Sequence, residues 1–210
     1  MFTNAEIIAP TTLRLLQELM VDEQLKIFYL VGGTALALQI GHRYSIDLDL
    51  FTSQPFNTEE LQYYLSTNYN FKTDLLATNT LKGFIQNVKC DFITHSYFMV
   101  SNLHFENGVR IISLRDIAAM KLSAIAQNGS RYKDFIDIFY LLKYLSLNEM
   151  LEAFKLKYPL SSVLIAVKGL SYFEDINFDF DKPVVLEKIS FTKIKNRILN
   201  AIQHPDKIYS

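Results

Sequence analysis

The strongest constraint on this chain is a pair of aspartates set one residue apart in an apolar run, Ser45-Ile46-Asp47-Leu48-Asp49-Leu50-Phe51. On a strand, successive side chains alternate between faces, so Asp47 and Asp49 share one face while Ile46, Leu48 and Leu50 point into a core. Two carboxylates side by side repel each other and are costly to desolvate unless a cation sits between them. Hard oxygen donors on a rigid element suit Mg²⁺, which takes one or two carboxylates and fills its shell with water and substrate phosphates. Taken alone, Asp-x-Asp reads more readily as the polar outer face of an edge strand.

A third acid adds weight to the first reading. Asp91 lies in Lys89-Cys90-Asp91-Phe92-Ile93, a second strand-like run whose Cys90 and Phe92 face the core, so Asp91 faces away from it. If that strand lies beside the Asp47 strand, the three carboxylates converge. Such a set binds two metal ions and activates a hydroxyl for in-line attack on phosphorus. The alternative is an Asp on a half-exposed strand. Upstream, Gly32-Gly33-Thr34 separates the apolar run Ile27–Val31 from a short helical run, Thr34–Leu38. Glycine allows a ligand close to the backbone, and a helix N-terminus presents free N–H groups to phosphate. Thr34 adds a hydroxyl. The same triplet is also what an ordinary tight strand-to-helix turn requires.

The helix expected from Ser113 to Gln127 has an apolar stripe of Leu114, Ile117, Ala118, Leu122, Ala124 and Ile125, and Lys121 falls in the middle of it. A lysine there must snorkel, pair with an acid or reach a ligand. Asp134 sits at the edge of the stripe of the following helix, Arg131 to Tyr144. Two readings stand: a structural Lys121–Asp134 ion pair between packed helices, or a lysine on a triphosphate with Asp134 orienting it or the acceptor. His42 and Arg43 read as loop residues and Ser45 as a turn cap. No catalytic role is expected for His42, since nothing in sequence pairs it with a nucleophile. Arg131 and Lys133 either meet phosphate or are solvated.

Around these residues the expected elements are a helix from Asn4 to Asp22, strands over Ile27–Val31 and Ser45–Phe51, a helix over Thr58–Thr67, and strands Phe71–Ala77, Leu81–Gln86 and Val88–Thr94. A turn at Asn107-Gly108 precedes Val109–Ile112. Helices follow, two or three of them between Asn148 and His204. The chain therefore divides into an α/β core, 1–112, and a helical part, 113–210, neither expected to stand alone. Its net charge of −1 supplies no global field for gathering nucleic acid. The segment Lys182 to Lys207 is locally basic, with six Lys/Arg against two acids. It reads as a solvated helix face or an acceptor-binding surface. A single cysteine, Cys90, excludes an internal disulfide or a Cys-rich zinc site and fits a reducing compartment. No signal peptide or membrane span is expected, and a cytoplasmic location follows as the expectation.

Leu30-Val31-Gly32-Gly33-Thr34-Ala35-Leu36, His42 through Phe51, Leu114 through Ala124 and Arg131 through Asp137 together resemble the AbiEii/AbiGii toxin family of the DNA polymerase β-like nucleotidyltransferases. The resemblance spans roughly Ile27 to Leu145. It implies an α+β fold, a mixed sheet with the acids at its edge and a helical C-terminal part. It also implies Mg²⁺- or Mn²⁺-dependent transfer of a nucleotide from ATP, GTP or CTP to an acceptor hydroxyl, with tRNA or a protein as acceptor. The family commonly acts as the toxin of a toxin–antitoxin or phage-abortive-infection pair, so a cognate antitoxin is an implied partner. The catalytic and metal set is then Asp47, Asp49 and Asp91. The nucleotide-binding set is Gly32, Gly33, Thr34, Ser45, Lys121 and Asp134. Two alternatives remain: an inactive nucleotide- or RNA-binding module of the same fold, and a sugar transferase using Asp-x-Asp, which needs more chain for its nucleotide-binding fold.

Overall fold

The computed structural model of the chain describes residues 5–179 and 183–210. Asn4, expected to open the first helix, and Lys182, expected in the basic segment, lie outside the described residues. The chain divides into two compact units. The first comprises the described parts of Met1–Gly41, Ser45–Tyr97 and Leu103–Ile112; the second comprises His42–Tyr44, Phe98–Asn102 and the described parts of Ser113–Ser210.

The first unit is built on one mixed sheet. Its strands are β1 (Tyr29–Val31), β2 (Leu48–Thr52), β3 (Lys72–Ala77), β4 (Thr80–Ile85), β5 (Val88–Thr94), β6 (His104–Glu106) and β7 (Val109–Ile111). They lie in the order β3-β4-β5-β2-β1-β7-β6. β2 runs parallel to β5 and antiparallel to β1, and β1 runs parallel to β7. Register sorts the side chains into rows. Leu81, Phe92, Leu50, Leu30 and Ile111 lie side by side and all are buried. The next row is Lys82, Asp91, Asp49 and Val31, on the opposite face. The acid-bearing strands are thus central to the sheet, not at its edge. β2 is also shorter than expected: it begins at Leu48, and Ile46, expected in the core, is 69% exposed. Alternation fails there because Ser45 and Asp47 are held by contacts to Thr34 instead of by a strand ladder.

The unit's helices are α1 (Pro10–Val21), α2 (Gly32–Ile40) and α3 (Thr58–Tyr69). Pro10 starts α1, where its missing N–H costs nothing, so the expected helix is split from a short 3₁₀ turn at Ala5–Ile7. α3 is capped by Asn57, whose side chain accepts from the backbone N–H groups of Glu59 and Glu60. Arg110 donates to the carbonyls of Phe28, Met20 and Leu25, tying the end of α1 to the start of β1. The β6–β7 turn places both Asn107 and Gly108 at positive φ, the geometry a two-residue hairpin demands.

The second unit carries α4 (Leu114–Gln127), α5 (Tyr132–Leu141), α6 (Leu147–Lys157), α7 (Val163–Ser171) and α8 (Phe191–Gln203). Ser113, Ser146 and Ser190 cap α4, α6 and α8, and Ser146 forms a full capping box with Glu149. Asp116, fully buried, accepts from the backbone of Val100 and Ser101 and from Lys157, fixing the segment Phe98–Asn102. In the basic segment, Arg197 stacks 3.9 Å over Phe139 and donates to its carbonyl, so it is a packing residue, whereas Lys188, Lys193 and Lys207 are exposed. Among the described residues no helix is long and apolar enough to cross a membrane.

Candidate active site

The site begins where β1 ends. Gly32 has φ +70, a conformation that L side chains rarely adopt, and a Cβ there would lie 2.3 Å from Asp49 Oδ2. Glycine is thus required twice: by the turn and by the carboxylate packed against it. α2 starts at Gly32 with Val31 as its cap residue and no side chain satisfying its first N–H groups. Those donors, from Gly33 and Thr34 onward, are the anion-seeking part of the turn. Thr34 sits in the first helical turn, 1% exposed. Its hydroxyl meets Ser45 Oγ at 2.8 Å and donates to the Asp47 carbonyl. The Thr34 and Ser45 side chains therefore hold the backbone that carries Asp47. What Thr34 can offer a phosphate is its N–H.

Asp49 and Asp91 are directly opposite each other on neighbouring parallel strands, with Asp47 two residues upstream of Asp49. All three carboxylates act on one buried atom. Burial pushes the Cys90 thiol up to about 12, and the negative charges of Asp91, Asp47 and Asp49 add to that shift. Asp47 and Asp49 are half-buried and Asp91 is buried. One Asp91 oxygen, Oδ2, is 2.9 Å from Lys82 Nζ; the other, Oδ1, is buried with no hydrogen-bond partner.

These groups suit a hard divalent cation in kind. The donors are carboxylate oxygens, one is orphaned, and Gly32 keeps side-chain atoms away from Asp49. Among the described residues, however, no three acidic, histidine or cysteine side chains are grouped so as to hold a metal ion as they stand. The cation on Asp91 is Lys82. The sequence reading overlooked Lys82, although the alternation Leu81, Gly83, Ile85 toward the core puts Lys82 on the face of Asp91.

The second unit holds the other expected residues in a buried ionic network. Lys121 Nζ is 2.7 Å from Asp134 Oδ1 and 2.7 Å from Asp137 Oδ2. Asp137, with no exposed surface, also meets His42 Nε2 at 2.7 Å and Arg43 Nε at 2.7 Å. Burial disfavours the charged forms of Asp137, Lys121 and His42. For Asp137, Arg43, Lys121 and His42 outweigh it and hold the carboxyl well below its usual range. For Lys121, Asp134 and Asp137 outweigh it and raise the ammonium. For His42, burial prevails over the Asp137 bond and lowers the imidazole. Lys121 as it stands is thus an ion-paired lysine, the first of its two readings. His42 and Arg43, read as loop residues, are buried partners of Asp137. Arg131 Nε lies 3.6 Å from Asp134 Oδ2, with its side chain 41% exposed. Asp137 was the missed member; its signal was an acid three residues after Asp134, between Ile136 and Ile138.

Comparison with known proteins agrees with this architecture. The family model described as "Nucleotidyl transferase AbiEii toxin, Type IV TA system" matches residues 14–88 and 83–199. An uncharacterized protein of Aquifex aeolicus (strain VF5) is 36% identical over 154 residues, 70% of this chain and 74% of its own length. The crystal structure of JHP933 from Helicobacter pylori superposes with a TM-score of 0.57 at 16% identity, covering 95% of this chain and 93% of that one. The nucleotidyltransferase toxin MenT4 of Mycobacterium tuberculosis gives 0.55 at 12% identity, covering 83% of this chain and 74% of its own. These likenesses show an α+β nucleotidyltransferase fold.

Proposed function

The chain belongs to the AbiEii nucleotidyl transferase toxin family, and from that premise we propose that it moves a nucleoside monophosphate from a nucleoside triphosphate to an acceptor hydroxyl on tRNA or a protein. The observation that carries this reading is the Asp49–Asp91 register with the Gly32 turn packed against Asp49. It puts an anion-seeking helix start, at the end of β1, beside two facing carboxylates on β2 and β5.

In the reaction, the acceptor oxygen bonds to the α-phosphorus. The bond from that phosphorus to its β-bridging oxygen breaks, and pyrophosphate leaves with the electron pair. Asp91 Oδ1, lacking any other partner, takes the hydroxyl proton. The N–H groups of Gly33 and Thr34 orient the phosphates, and Thr34 with Ser45 keeps Asp47 in place. Asp47, Asp49 and Asp91 would hold Mg²⁺ or Mn²⁺, which when bound offsets charge on the departing pyrophosphate. Lys121 and Asp134 are assigned to nucleotide binding on the sequence resemblance; in the second unit they are already each other's partners. In this reading 1–112 is the catalytic core and 113–210 its helical part. A role as the toxin of a toxin–antitoxin pair is part of this proposal, supported by the family description.

The test is transfer of label from each α-labelled triphosphate to total tRNA and to protein, with Mg²⁺, beside Asp49→Asn. Loss of one preorganised charged group from such a site costs about 10²–10³-fold. Equal labelling by the variant, or neither transfer nor nucleotide binding by the wild-type chain, would refute the proposal.

A further inference from the structure

Lys82 stands in an unusual place for a surface lysine. It is directly opposite Asp91 across the β4–β5 pair, and Asp91 is directly opposite Asp49 across the β5–β2 pair, so a cation and two anions form one row. Its ammonium is 2.9 Å from Asp91 Oδ2, and its side chain is 30% exposed against 7% for Asp91. The lysine thus has a route to solvent, while the carboxylate has none of comparable size. Facing like charges on adjacent strands destabilise a sheet. Lys82 compensates that repulsion without any bound ion.

We propose that Lys82 is a resident counter-ion for Asp91, held on Oδ2 while Oδ1 is open, and that its charge competes with a divalent cation for that carboxylate. The inference rests on the reading that Asp47, Asp49 and Asp91 hold a divalent cation. Lys82 is then a positioning residue that sets how much metal the enzyme needs. It offsets the charge of Asp91, directly across from Asp49, until metal arrives. A purely structural cross-strand pair would leave metal affinity unchanged or, by loosening β4, weaken it.

The experiment is direct Mn²⁺ binding to the nucleotide-free full chain, read from the electron paramagnetic resonance signal of free Mn²⁺. Lys82→Met and Lys82→Gln should bind Mn²⁺ about three- to tenfold more tightly than wild type, the scale expected for removing one partly exposed competing charge. Lys82→Arg, which keeps the charge, should stay within about twofold of wild type on the same scale. In an Asp91→Asn background, Lys82→Met should change nothing. The rise in melting temperature on adding Mn²⁺ should also be larger for Lys82→Met than for wild type. Unchanged or weaker binding by both neutral variants, with wild type binding normally, overturns the counter-ion role alone. Absence of Mn²⁺ binding in every protein overturns the cation reading and this inference with it.

Discussion

Asp137→Asn is expected to be the most destabilising single change in the second unit. The carboxylate has no exposed surface and accepts from His42 Nε2 at 2.7 Å, Arg43 Nε at 2.7 Å and Arg43 Nη2 at 3.1 Å, with Lys121 Nζ also at 2.7 Å. With His42 neutral, Arg43 and Lys121 balance Asp134 and Asp137, and Arg131 lies at the more exposed rim. Asparagine removes one negative charge from that balance and turns an NH₂ group toward donors. Breaking a buried ion pair by removing one partner costs about 3–5 kcal/mol, a large share of the roughly 5–15 kcal/mol that holds a domain together. Asp134→Asn should cost less, about 1–3 kcal/mol. Its Oδ2 has no hydrogen-bond partner, and Arg131 approaches it only to 3.6 Å. Urea unfolding followed by far-ultraviolet circular dichroism measures both, with the slope m checked for constancy. A loss below about 1 kcal/mol for Asp137→Asn, the scale of ordinary surface changes, or a greater loss for Asp134→Asn, refutes the account of Asp137 as the hub.

Three further outcomes follow from the same geometry. Acid should destabilise the protein in two stages: His42, lowered from 6.5, contributes stability that is complete above that pH and falls away below it, and Asp137, lowered from 3.8, is lost only in stronger acid. Chemical denaturation at stepped pH should show the first stage vanish in His42→Gln and persist in wild type. Gly32→Ala should lose about 1–2 kcal/mol to the unfavourable φ, and should lower transfer about 10²-fold by pushing the Asp49 carboxylate aside; wild-type turnover in that variant would contradict the packing described. Cys90, fully buried with its thiol pushed up to about 12, should resist a thiol reagent in the native protein and react fully in denaturant; fast native labelling would show the β5 core to be open.

The elements that sequence revealed are those whose signal is local. Val88–Thr94 and the Ser113-capped helix to Gln127 match the expected bounds, because alternation in one and a serine cap in the other are written in neighbouring residues. The pairing of Asp91 with the Asp47–Asp49 strand is only a condition at the level of sequence, since register between distant strands depends on the whole sheet; the structure meets it at Asp49. Misreadings cluster where a side chain's partner is far along the chain. Ile46 follows period two in sequence, yet its neighbours are held by Thr34, and the strand starts two residues later. His42 and Arg43 look like solvated loop residues until Asp137, more than ninety positions away, is placed against them. Charge imbalance is the common thread. A lone acid on an apolar strand or a lone lysine on an apolar stripe signals that a partner exists without saying which. Lys121 found two acids of its own unit, and Asp91 found Lys82. For Asp91 that pairing is only half complete, because Oδ1 remains without a partner. An unpaired buried oxygen is costly where nothing compensates it; His42 Nδ1 and Asp134 Oδ2 in the lysine network lack partners too, so what sets Asp91 Oδ1 apart is its place directly across from Asp49, against which the glycine turn packs, and the proposed ligand site rests on that placement.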